Sequence, residues 1–170
     1  MKRFLLSLVA VLSATSASAA TDNGTVSLTG TLESSLTIAI TANIGASSGS
    51  GTSTVSVGLG TIAKSGAVPI AVVRTVQTTD WKVGALIGIV VSKANLNSSS
   101  YTLTAQLASS TPAGITWKLN DVALSHLSPI TLTSAGVYAE SLMPLWEVVI
   151  ANSAAPTSIN NTIHFTATSN

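Results

Sequence analysis

The stretch Thr25–Thr41, TVSLTGTLESSLTIAIT, places an apolar or small residue at nearly every even position: Val26, Leu28, Gly30 and Leu32, then Leu36, Ile38 and Ile40. A period of two marks a β-strand with one covered face. Fully extended, the stretch would reach roughly 55 Å, about three times a usual strand. It therefore reads as two strands joined at Glu33-Ser34-Ser35. The second, Leu36–Ile40, belongs to the domain's own sheet, whereas the first, within residues 25–32, lies near the N-terminus and detaches most readily. Kept at home it is an ordinary edge strand. Released, it can complete a neighbour's sheet while its alternate side chains fill a groove there, and such a head-to-tail contact generates an open polymer.

Upstream, MKRFLLSLVAVLSATSASAA has two bases, an apolar run from Phe4 to Leu12 and a small-residue tail at Ala17-Ser18-Ala19. This predicts a secretory leader over 1–19, cleaved before Ala20, since the apolar run is far shorter than the ~20 residues that span a bilayer. Residues 20–170 are then expected to form one domain with no integral membrane segment. Losing Lys2 and Arg3 leaves five bases against six acids, a balance that argues against nucleic acid and anionic lipid. There is no cysteine, so neither a disulfide framework nor a zinc–thiolate site is available.

Only 8% of residues are charged, while serine and threonine make up more than a quarter of the chain. That composition favours strands, and a hydrophobic content of 46% argues against disorder. Strand patterns recur: Val55–Leu59, Val68–Val76, Val83–Val91, Tyr101–Leu107, Ile115–Leu119, two short strands around Ala135-Gly136, one after Pro144, and Ile163–Ala167. Gly45–Thr54 reads as a flexible connection. Asn120-Asp121, between Ile115/Trp117/Leu119 and Val122/Leu124, predicts a two-residue hairpin. About ten strands at this spacing predict an all-β, antiparallel two-sheet sandwich. An outer-membrane barrel is disfavoured, because aromatics are only 4% and no girdles are evident.

No chemistry-bearing constellation emerges. His126 and His164 lack a nucleophile partner, and Asp80, Asp121, Glu140 and Glu147 stand apart in sequence. The chain is expected to be non-catalytic, with no metal or cofactor. Trp117 shares parity with Ile115 and Leu119 and should be core, while Trp81 and Trp146 keep open an alternative, a monomeric secreted sandwich that binds carbohydrate on an exposed aromatic face.

The leader, the cysteine-free Ser/Thr-rich β-chain, the N-terminal TVSLTGTL, the hairpin ITWKLNDVALS and the closing NTIHFTATSN together resemble an immunoglobulin-like fimbrial or pilus subunit. The resemblance implies a secreted structural protein polymerised by an N-terminal donor strand at the cell surface, serving adhesion or biofilm cohesion. Val26, Leu28 and Leu32 match the alternating donor positions and Gly30 the small one. Its implied partners are further copies of the same chain and a periplasmic assembly chaperone. The chain departs from many such subunits in having no disulfide and no terminal aromatic.

Overall fold

The computed structural model describes residues 34–42, 46–48 and 56–170. All of them belong to the larger of two compact units, Leu32–Asn170, which is described by itself. The donor positions Val26, Leu28, Gly30 and Leu32, and the leader, lie outside the described residues.

Thirteen strands and no helix occur among these residues. They are β1 (Ser35–Thr41), β2 (Ala46–Ser48), β3 (Ser56–Gly58), β4 (Val73–Val76), β5 (Asp80–Leu86), β6 (Gly88–Ala94) and β7 (Tyr101–Leu107). There follow β8 (Ile115–Leu119), β9 (Val122–Ala123), β10 (Ile130–Gly136), β11 (Ser141–Leu142), β12 (Leu145–Ala151) and β13 (Ile163–Ser169). Every ladder is antiparallel. The sheet orders are β4-β5-β12-β8-β9, β1-β6-β11, β10-β7-β13 and the small β2-β3 pair.

A single apolar cluster draws on the three larger sheets. Val83, Trp117 and Val148 come from the five-stranded sheet, Ile89 and Val91 from β6, and Tyr101, Leu103 and Ala105 from β7. The arrangement is consistent with a β-sandwich. β7 gives the clearest pattern: Tyr101, Leu103, Ala105 and Leu107 are buried and the residues between them half-buried, the signature of one face on the core.

Several local expectations change. Val83–Val91, expected as one strand, is two. It is the junction of β5 and β6, which enter different sheets on either side of Ile87, whose N–H donates to the Pro144 carbonyl (3.1 Å). The odd residues Val83 to Val91 are all buried, but the even set holds two glycines and an exposed Leu86. Of Val68–Val76 only the last four residues are strand. Pro69 starts a turn closed by Val72 N–H to the Pro69 carbonyl (3.2 Å), with Ala71 at φ 60°. Within the expected flexible connection, Ala46–Ser48 instead pairs with Ser56–Gly58. β10 runs unbroken to Gly136 where two short strands were expected, its ladder to β7 shifting twice. The Asn120-Asp121 hairpin forms as read, both residues at positive φ (48° and 64°), as a primed two-residue turn requires.

Candidate functional site

The sheet edges decide where the molecule can act, because an unpaired edge is a template for another strand. Most edges here are blunted. β9 and β11 have two residues each, and β10 carries two register shifts. β4 has four residues, and its Arg74 guanidinium donates to the carbonyls of Ala63 (3.1 Å) and Gly66 (2.7 Å), drawing the preceding loop against it.

β1 and β13 are different. Each is seven residues long with an unbroken ladder, and among the described residues β1 pairs with β6 alone and β13 with β7 alone. They run close to one another without a ladder between them. On β1, Leu36, Ile38 and Ile40 turn inward but stay only half-buried, while Ser35, Thr37 and Thr41 are exposed. On β13, Ile163, Phe165 and Ala167 do the same, with His164, Thr166 and Thr168 exposed. The inward apolar residues of β5, β7, β8 and β12 are all buried, so half-burial along β1 and β13, as at Ile130 and Leu132 of the edge strand β10, marks an incompletely covered side.

Between them opens a cleft of about 1720 Å³. Leu36–Ile40 and Ile163–Phe165 form its walls, and Trp117, Trp146, Val148 and Ile150 of the opposite sheet form its floor. Residues 57–62 and 154–162 border it as well. Lys64 borders it, and His164 borders it as part of β13 with its side chain on the strand's outer face; the cleft offers apolar surface and two lines of backbone N–H and C=O groups.

The other residues singled out by sequence do not converge. His126 lies in an exposed loop, its carbonyl accepting from Gln106 Nε2 (2.9 Å), and His164 is on the outer face of β13. All three tryptophans are buried, with 7 to 9% exposure, and Trp117 and Trp146 pack edge-tilted with centroids 5.6 Å apart. None presents an open face on an outer surface. Glu147, which the sequence does not set apart from the other carboxylates, is 4% exposed on the outer side of β12 and accepts from Lys82 Nζ at 2.6 Å. That hydrogen bond is the main reason the Lys82 ammonium is held above its ordinary pKa. Burial pushes the Tyr101 phenol up as well.

The edge of β13, unpaired on one side among the described residues, is the feature that the sequence does not reveal. Its alternation was plain, but which neighbour a strand lacks depends on sheet order, and that order is non-local. No protein-family model, curated protein or solved structure matches this chain, so its function has to be argued from this geometry.

Proposed function

We propose that the chain is an exported, non-catalytic structural subunit of a cell-surface filament, an immunoglobulin-like sandwich whose residues 25–32 complete the sheet of the next copy. One observation carries the reading: two seven-residue edges, each unpaired on one side among the described residues, flank an apolar cleft, and a seven-residue alternating segment, Val26–Leu32, lies just upstream of β1 in the sequence. Seven residues span about 23 Å, so strand and edges match in length. Seated in the cleft, Val26, Leu28 and Leu32 face the tryptophan floor and Gly30 supplies one shallow position.

Closure within one chain is opposed by the connector. A hairpin turning at Glu33-Ser34 would need residues suited to positive φ, and neither is Gly or Asn. That two-residue turn would also set Thr31, Thr29 and Ser27 opposite Leu36, Ile38 and Ile40, and facing residues share a face, so the polar side of the segment would point into the core; the three-residue connection Glu33-Ser34-Ser35, which would bring Leu32 opposite Leu36, calls for left-handed backbone at Ser35, a residue that is paired with Ala94 in β1. Donation to another copy frees the segment from β1's register. The contact is head-to-tail, hence open-ended. A periplasmic chaperone that occupies the cleft before assembly fits the same reading, as does a role in adhesion or biofilm cohesion.

The competing reading, a monomeric carbohydrate-binding module, wants an exposed indole, and the burial of all three weighs against it. Sedimentation of the mature chain tests the proposal. Long polymers are expected from residues 20–170, and none once residues 20–33 are deleted. Leu28→Ala is expected to weaken subunit joining by about 2 kcal/mol, roughly thirtyfold. Unchanged assembly after the deletion would overturn the proposal.

A further inference from the structure

Charge is unevenly distributed over the fold. The described residues include nine charged side chains. Six of these, Arg74, Asp80, Lys82, Lys118, Asp121 and Glu147, belong to the five-stranded sheet or its hairpin turn. The outward face of β10-β7-β13 has none. Ladder register instead lines up hydroxyls across it: Thr131, Thr104 and Thr166 form one row, Thr102 and Thr168 the next, and Gln106 and His164 a third. Neighbouring side chains within a row are about 4.8 Å apart, and successive rows about 6.7 Å.

The edge of this array is tied down. Thr102 Oγ1 donates to Asn170 Oδ1 (2.8 Å), and Asn170 Nδ2 donates to the Ser134 carbonyl (2.8 Å). The side-chain hydroxyls of Thr131, Thr166 and Thr168 are exposed and make no hydrogen bond within the described residues.

We propose that this hydroxyl face docks against the same face of a second copy, joining filaments side by side. A hydroxyl both donates and accepts, so an array of hydroxyls is complementary to itself about a two-fold axis. The strands of this face carry no Asp, Glu, Lys or Arg, so two copies of it meet without like-charge repulsion. A charged partner would find no counter-charge on this face, and a sugar would find no aromatic ring to stack on. The side-by-side joining of filaments rests on the filament reading above.

The test uses the mature full chain carrying Thr131→Glu and Thr166→Glu together. Both sites are exposed, and circular dichroism checks that the fold persists. Under electron microscopy wild-type filaments are expected in lateral bundles, while the double variant gives single filaments of unchanged length. Thr75→Glu with Thr116→Glu, placed on the five-stranded sheet, should leave the bundles intact. Bundles that survive the first pair, bundles lost equally with the second pair, or a wild type that never bundles would each overturn the proposal.

Should no filament form, the filament reading fails and the face is read separately by sedimentation equilibrium. There, concentration-dependent dimers weakened at least tenfold by Thr131→Glu/Thr166→Glu support the face, and a strictly monomeric wild type rejects it. Retention of unbundled wild type on insoluble cellulose or chitin, lost in the same variant, would also reject it in favour of a glycan partner.

Discussion

A Cβ added at Gly84 would sit 2.6 Å from the Trp146 carbonyl oxygen and 2.8 Å from Glu147 Cγ, so the glycine is what lets the glutamate lie flat on the sheet. Gly84→Ala is expected to cost about 1–3 kcal/mol through overpacking, read as a lower urea midpoint at unchanged slope. The carboxylate it accommodates is paired through Oε1 to Lys82, while Oε2 has no partner. Lys82→Met would strand that buried charge, costing about 1–3 kcal/mol at neutral pH; the figure falls short of a fully enclosed pair because the Lys82 side chain keeps 28% exposure. Since folding raises the Lys82 pKa above 10.5, the associated stability is complete below that value and is lost as pH climbs through the folded value. Urea titrations from pH 9 upward should therefore show wild type and Lys82→Met converging. Parallel curves would refute the coupling. Tyr101 contributes in the same direction, its pKa being raised by burial, and its hydroxyl is buried without a partner. Tyr101→Phe removes both features and is expected to leave stability equal or higher by up to about 1 kcal/mol in thermal melts.

Among the elements, the β8–β9 hairpin shows what short-range chemistry can specify. Asn120 and Asp121 both take left-handed backbone, and glycine suits the second position better than aspartate. Asp121→Gly should raise stability by about 0.5–1 kcal/mol in denaturant unfolding. That turn, the inward triad Ile115/Trp117/Leu119 and the alternation of β7 and β13 were legible because each depends on residues only a few positions apart. The β5–β6 junction was not, since the chain changes sheets at Ile87, whose N–H partner is the Pro144 carbonyl dozens of residues away, and Gly84 is small for its close approach to β12, neither of which a window of nine residues contains. The cleft was half legible: the segment proposed to fill it stood out by parity, whereas the edge of β13 that receives it depends on a sheet order set by contacts dozens of residues apart. The same parity argument gives a sharp test of donation. Deleting Glu33 and replacing the turn residues by Ser34→Asn and Ser35→Gly would build a primed two-residue turn and bring Leu32, Gly30 and Leu28 opposite Leu36, Ile38 and Ile40. That variant is expected to close its own cleft and run as a monomer in light scattering; polymers of wild-type length from it would show that the segment does not compete for the cleft.

At the scale of the whole molecule, scarcity of charge sets the behaviour. A chain with 8% charged residues and no cysteine is held by buried apolar area, ladder hydrogen bonds and hydroxyl contacts, and in the proposed filament its joints would rest on the same contacts, none of which is screened by simple salt. Exposed ion pairs respond differently, since the screening length falls from roughly 30 Å at 0.01 M to about 3 Å at 1 M. Both subunit joining and lateral association are therefore expected to change by less than about threefold between 0.05 and 0.5 M sodium chloride, measured by sedimentation and turbidity. Sodium sulfate at matched ionic strength should strengthen both, because an excluded salt favours burial of surface. A steep loss of assembly in sodium chloride alone would mean that the few charges flanking the cleft and the donor segment, Lys64, Asp22 and Glu33, carry the contact, and the apolar, hydroxyl-based account of the filament would have to give way to an electrostatic one.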